Sequence, residues 1–171
     1  MNPVRDKNLE SSGSPSASVS NGMKVFIAAD HAGFALKNAL MEHIRTLGYE
    51  GMDMGAFQQD PDDDYPDFVI PLAEKVAEEN ARVADSARGI VVGGSGQGEA
   101  MCCNRVKGVR AAVFYGGASE IVQLAREHND ANVLSLGARF LTTDDAFAAV
   151  QSFLETPFSD SPRHARRFAK F

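Results

Sequence analysis

Seven consecutive residues, Gly93-Gly94-Ser95-Gly96-Gln97-Gly98-Glu99, concentrate the chemistry this sequence can do. They follow the apolar run 89–92 and precede a helical stretch. Four glycines in seven residues exceed what a strand-to-helix turn needs. Glycine lets the backbone turn sharply and present its N–H groups at a helix start, a geometry that suits a phosphate, a carboxylate or a developing oxyanion. Two familiar nucleotide loops are excluded. No lysine follows, as the Walker A loop requires. The dinucleotide fingerprint would begin at Gly94-Ser95-Gly96, but its third glycine position holds Glu99, and the next strand ends in Phe114-Tyr115 where an acidic ribose ligand belongs. A carboxylate in this loop would repel pyrophosphate, so Glu99 points to proton chemistry. The macrodipole also favours an acid in a first helical turn, and position alone leaves both readings open.

Other candidates are single residues or pairs. Asp30-His31 follows the first apolar run, where a site or a simple helix cap would each place an aspartate. His128, in Glu127-His128-Asn129-Asp130, stands at a helix end, where a dipole partner and a catalytic group are both reasonable. Arg163 and Arg167 lie four apart, joined by His164 and Arg166. They read as an anion clamp, an acid-facing interface or a solvated basic tail. Arg139, after the fifth apolar run, can point to the same mouth as that clamp. Metal ligation is not expected. Cys102 and Cys103 on one helix point about 100° apart, and no paired histidine spacing supports them. Asp60, Asp62 and Asp64 start like a calcium loop, but Tyr65 and Pro71 stand where its glycine and glutamate belong, so the run reads as a solvated loop.

The elements that must position these residues alternate. Short apolar runs at 25–29, 89–92, 111–114 and 133–136 read as buried parallel strands, with 49–54 a weaker one. Leu36, Leu40, Ile44 and Leu47 recur at helical spacing and Gly48 supplies a stop. Val69, Leu72, Ala73, Val76 and Ala77 do the same, with Pro71 expected in the first turn. Ser119 is placed to cap residues 120–129, and Thr143 to cap 144–154. Strand–helix alternation at this spacing predicts an α/β fold: a doubly wound, Rossmann-like, five-stranded parallel sheet in a three-layer α/β/α arrangement, ending in a basic helical tail. Ligands of such sheets bind beyond the carboxyl ends of the strands, so function is expected at Asp30-His31, 93–99, Tyr115-Gly116 and 137–139.

The chain has 171 residues, 44% hydrophobic and 23% charged, which fits one globular domain. Residues 1–22 are Ser-, Gly- and Pro-rich in their second half and read as a disordered tail or tag; the domain is 23–171. A net charge of −6 disfavours a nucleic-acid partner. No apolar run reaches the ~20 residues of a membrane span, and two adjacent cysteines suit a reducing cytoplasm.

Taken together, Ala29-Asp30-His31-Ala32-Gly33, Asp64-Tyr65-Pro66, the loop 93–99, Asn104-Arg105-Val106-Lys107-Gly108-Val109-Arg110-Ala111, Arg126-Glu127-His128-Asn129-Asp130 and Arg163-His164 resemble ribose-5-phosphate isomerases of type B, a family that includes the galactose-6-phosphate isomerase subunits. The likeness runs in order from Met23 to about Arg167. It implies a cofactor-free, aldose–ketose interconversion of ribose 5-phosphate and ribulose 5-phosphate through an enediolate, within the pentose phosphate pathway. One branch of the family uses a cysteine base just before the glycine loop, a position held here by Gly93. The other uses a glutamate just after it, where Glu99 stands. The resemblance further implies Ser95 and the N–H groups around Gly94, Gly96 and Gly98 as an oxyanion site, His128 for ring opening with Asp30 close to the substrate, His31, Arg139, Arg163 and Arg167 as phosphate ligands, and Tyr65 and Asn129 as sugar contacts. It also implies a homodimer or dimer of dimers with sites shared between subunits. Rival readings are an isomerase of allose or galactose 6-phosphate, a catalytically silent sugar-phosphate binding protein and, disfavoured by Glu99, a nucleotide-binding module.

Overall fold

The computed structural model describes residues 22–170, so the expectation for residues 1–22 lies, Gly22 apart, outside the described part of the chain. Five parallel strands form one sheet: β1 (Lys24–Ala29), β2 (Glu50–Asp53), β3 (Ala87–Gly93), β4 (Ala111–Phe114) and β5 (Val133–Gly137), in the order β2-β1-β3-β5-β4. Six helices alternate with and follow them: α1 (Phe34–Thr46), α2 (Pro66–Arg82), α3 (Gln97–Cys103), α4 (Glu120–Asn129), α5 (Thr143–Glu155) and α6 (Pro162–Phe168).

Side chains alternate across the strands, and each face buries its own core. Val25, Ile27 and Ala29 face Leu40 and Ile44 of α1, Val122 of α4, and Val150 and Phe153 of α5. Phe26 and Ala28 face Val69, Leu72 and Val76 of α2 and Cys103 of α3. Right-handed crossovers produce this division: connections that step toward the β2 edge put α1 and α4 on one face, and those that step toward the β4 edge put α2 and α3 on the other. The strand order reverses between β1 and β3, which opens a crevice at their carboxyl ends.

Three local expectations are corrected. Pro71 lies in the second turn of α2, because the helix already starts at Pro66. The carbonyl that Pro71 leaves unbonded is that of exposed Asp67, which can turn to water. The cap of α5 is Thr142 and not Thr143: its side chain accepts from the Asp145 N–H at 3.1 Å, and the Asp145 carboxylate accepts from the Thr142 hydroxyl at 2.7 Å. Ser119 precedes α4 but keeps helical dihedrals and makes no side-chain cap bond.

A buried cation fixes the approach to the crevice. Lys37 of α1 is fully buried; its ammonium donates to both Asp53 oxygens at 2.7 and 2.6 Å and to the Ala56 carbonyl at 2.8 Å. Burial of an ammonium is tolerable only with such pairing, so the start of the β2–α2 loop is held against α1.

Candidate active site

Four segments converge on the crevice: the ends of β1, β3 and β5, and the β2–α2 loop. The glycine loop after β3 is tied to β5 and the turn beyond it. Ala138 N–H donates to the Gly93 carbonyl at 2.8 Å, Arg139 N–H to the Gly94 carbonyl at 3.1 Å, and the Ser135 hydroxyl to the Gly96 carbonyl at 2.6 Å. Gly96 has φ +78°, a left-handed conformation that turns the strand into α3 and that glycine adopts without steric cost. Ser95 is half-buried beside it.

Glu99 folds back from the first turn of α3 toward Gly93. A Cβ added at Gly93 would lie 1.7 Å from Glu99 Oε1 and 2.2 Å from its Cδ. The carboxylate thus fills the space that any side chain at position 93 would need. Glu99 is only 4% exposed. Burial pushes its carboxyl above the ordinary glutamate value, and the negative charge of Asp30 adds to this, while the Glu99 backbone N–H pulls the other way.

Asp30 is buried at the end of β1, and its Oδ1 accepts from Ala32 N–H at 3.0 Å and Gly33 N–H at 3.1 Å. It is therefore both a turn-forming residue and a charge beside Glu99. Tyr65 stands over the loop: a Cβ on Gly98 would lie 2.6 Å from its hydroxyl. The neighbouring Cys102 sulfur, then burial and the carboxylates of Glu99, Asp30 and Asp64, push the Tyr65 hydroxyl up, so it remains a neutral donor. Arg139 lies over the loop start, its Cζ 3.2 Å from where a Gly94 Cβ would be. Of the two cysteines, Cys103 is buried with its thiol pushed up to about 12, chiefly by burial, which suits packing and not nucleophilic work.

One residue of this site was passed over in the acidic run. Asp63 Oδ1 accepts from the His31 backbone N–H at 3.0 Å and pairs with His31 Nδ1 at 2.7 Å. That pairing, opposed by partial burial and aided by Asp30, raises the His31 pKa. Asp60, Asp62 and Asp64 are exposed as expected of a solvated loop, whereas the Asp63 side chain is 8% exposed. Its only sequence signal was its place two residues before Tyr65. The sequence offered no metal ligand set. The fold does bring one ligand atom each from Asp30, His31 and Asp63 within 4.8 Å of one another, although His31 Nδ1 and Asp63 Oδ1 are already bonded together.

The other expected residues lie at the opposite end of the sheet. Helix α4 starts near the mouth and runs back to the beginning of β5, so His128 and Asn129 end up exposed beside the first residues of β4 and β5. The Arg110 guanidinium, just ahead of β4, donates to the Asn129 carbonyl at 3.1 Å. Helix α6 packs on α4: the rings of His128 and His164 meet edge to face at 4.1 Å between centroids, and Arg110 lies 5.1 Å over the Phe168 ring. Arg163 and Arg167 are exposed on this helix. Within one chain they do not share a mouth with Arg139: the length of β5, roughly 16 Å at 3.3 Å per residue, separates the two ends.

A parallel sheet with a buried carboxylate behind a glycine loop, and cationic groups at its rim, defines a class of small-molecule enzyme working on anionic substrates. The chain belongs to the Ribose/Galactose Isomerase family, whose model matches residues 25–171. It is 44% identical over 146 residues to ribose-5-phosphate isomerase B of Mycolicibacterium paratuberculosis, covering 85% of this chain and 87% of the relative. It is 43% identical to the protein of the same name from Mycobacterium leprae, covering 86% of each. Among solved structures, ribose-5-phosphate isomerase B from Mycoplasma genitalium with bound ribulose-5-phosphate superposes with a TM-score of 0.80 at 39% identity, over 86% of this chain and 93% of that one.

Proposed function

We propose that the chain interconverts ribose 5-phosphate and ribulose 5-phosphate through an enediolate, with Glu99 carrying the proton between C2 and C1. The observation that carries this reading is the Glu99 carboxylate itself. It is buried, raised in pKa, and folded into the volume left by Gly93 at the carboxyl end of β3. A carboxylate at its ordinary pKa is a weak base near neutrality; burial makes it a better one, and one group can both take the proton and return it. In this reading Ser95 and the N–H groups around Gly94, Gly96 and Gly98 supply the donors to the enediolate oxygen, on a loop that the bonds from Ser135, Ala138 and Arg139 hold in place. His31 and Arg139 stand at its rim to hold the phosphate.

His128, Asn129, Arg163 and Arg167 then serve the site of a second copy. They are exposed, and they stand at the end of the sheet opposite their own crevice. A two-fold pairing that sets the end of one sheet against the mouth of the other gives each crevice a ring-opening histidine, a sugar-contacting asparagine and two more phosphate ligands. The compartment that fits two free cysteines and a sugar-phosphate substrate is the cytoplasm.

The test has two parts. Purified protein is assayed with ribose 5-phosphate, allose 6-phosphate and galactose 6-phosphate, and turnover of the pentose phosphate with the highest kcat/KM is the result expected. Glu99→Gln and His128→Ala are then prepared separately, each inactive, and mixed under conditions that exchange subunits. Random pairing makes one intact site in each mixed dimer and restores about a quarter of wild-type activity. A mixture that exchanges subunits yet stays as inactive as its parents refutes the shared site and leaves the role of Glu99 standing.

A further inference from the structure

We propose that Asp63 is a positioning residue for phosphate recognition: its carboxylate holds the His31 ring with Nδ1–H turned inward, so that His31 meets the substrate phosphate as an imidazolium through Nε2–H. The proposal deepens the reading of His31 as a phosphate ligand and rests on it.

The geometry is specific. A single oxygen, Asp63 Oδ1, accepts from both the backbone N–H and the ring Nδ1 of His31, at 3.0 and 2.7 Å. The aspartate is the more buried partner, its side chain 8% exposed against 33% for His31. Its other oxygen, Oδ2, is buried with no hydrogen-bond partner, so among the described residues His31 is the one group bonded to this carboxylate. The loop that carries it is anchored at Ala56 by buried Lys37 and ends at Tyr65 over the glycine loop, so Asp63 has little freedom to leave.

The tautomer then decides the chemistry. With the Nδ1 proton committed to a carboxylate, a neutral imidazole leaves Nε2 as a bare lone pair, which repels a phosphate oxygen. Only the doubly protonated ring donates from Nε2. His31 therefore needs a partner that keeps it charged at the pH of catalysis. Three groups face it. Asp63 from the β2–α2 loop and Asp30 from the end of β1 favour the cation, and Arg139 from the turn after β5 opposes it. Asp30 is already accepting from two backbone N–H groups, which leaves Asp63 as the direct counterion. Before phosphate arrives, Asp63, with Asp30 beside it, offsets the repulsion between Arg139 and a charged His31.

The variant Asp63→Asn keeps the shape and can still accept from the His31 backbone, but removes the charge. NMR titration of the His31 ring should show its protonation moving to lower pH in Asp63→Asn. KM for ribose 5-phosphate and the inhibition constant of inorganic phosphate should rise with pH at that same lower point, while kcat at saturating substrate stays within about twofold. At a pH where only the wild-type ring is charged, KM should be about tenfold higher in the variant, the scale of one charged hydrogen bond. Asp63→Glu should restore part of the pH range. In a His31→Gln background, Asp63→Asn should add nothing. An unmoved His31 titration overturns the proposal while leaving His31 as a ligand. A raised KM with an unshifted pH profile also overturns it, since that marks a merely structural role. If the titration moves but His31→Gln binds inorganic phosphate as tightly as wild type, the phosphate-ligand reading fails, and the proposal with it.

Discussion

Replacing Gly93 by alanine adds one methyl group at the point where the proposed base sits. Gly93 does not need a left-handed backbone, so the substitution tests space alone. The new Cβ would start 1.7 Å from Glu99 Oε1 and 2.2 Å from Cδ. Ordinary contact needs about 3.4 Å, so Oε1 must retreat by about 1.7 Å and Cδ by about 1.2 Å. A misplacement of about 1 Å at a reacting group costs on the order of 10²-fold in rate, or about 2.7 kcal/mol of barrier. Gly93→Ala is thus expected to lose at least about a hundredfold in kcat. KM should change little, because the phosphate contacts are elsewhere. The assay is the initial rate of ketose formation from ribose 5-phosphate, run with thermal melts of the same samples. The decisive comparison is a cycle with Glu99→Ala. Once the carboxylate is gone, Gly93→Ala should have almost no further effect on rate or melting temperature. A Gly93→Ala enzyme whose kcat stays within about threefold of the parent would refute the placement of the base.

Glu99→Gln should lower kcat by about 10²–10⁴-fold and spare substrate binding, since glutamine keeps the shape but cannot carry the proton. It should also raise the melting temperature above the pH where a free glutamate ionises. The folded pKa of Glu99 is raised, so its folded state prefers the proton, and stability is lost as pH climbs through that raised value; a melt that falls at pH 7.5 contradicts this. Arg139→Ala and Arg167→Ala should each raise KM roughly ten- to a hundredfold with kcat nearly kept, because an unreacting phosphate is bound alike in ground and transition states; unchanged KM in both removes the clamp. Activity is expected to survive EDTA, because the proposed donors to the enediolate are N–H groups and a hydroxyl; loss in chelator with rescue by a divalent ion would require a ligand role for Asp30, His31 and Asp63.

Four of the strands were legible because each carries a short apolar run within a covered sheet, and Ala111–Phe114 is bounded as expected; β2, the edge strand Glu50–Asp53, gave a weaker signal because it is short, polar at both ends and mostly exposed. Helix starts were less so. Thr142 and Thr143 are both good caps, and only the reciprocal bonds with Asp145 decide between them. The glycine loop and Glu99 were visible as residues, but the sequence does not show that the carboxylate turns back onto Gly93. Asp63 was hidden by its three acidic neighbours, since burial and not residue type distinguishes it. The separation of His128 from Glu99 follows from topology: a helix leaving the carboxyl end of one parallel strand must finish at the amino end of the next. Motif matching, which records residues and their order, carries no such direction.

The strand order also governs how the sheet is assembled during synthesis. β5, the last strand made, lies between β3 and β4. When β4 emerges from the ribosome, its sole neighbour in the sheet does not yet exist, and the β3 edge, with Ile90, Val91 and Val92, is uncovered. At about 5–20 residues per second, the stretch from Ala111 to Gly137 takes one to a few seconds to translate, long on the scale of chain collapse. The nascent chain therefore passes through a three-stranded β2-β1-β3 stage with an open apolar edge, the kind of surface that holdase chaperones bind and aggregates grow from. The crevice between β1 and β3 can form at that stage; the Ser135 and Ala138 contacts that brace its glycine loop arrive last, with the strand that closes the sheet.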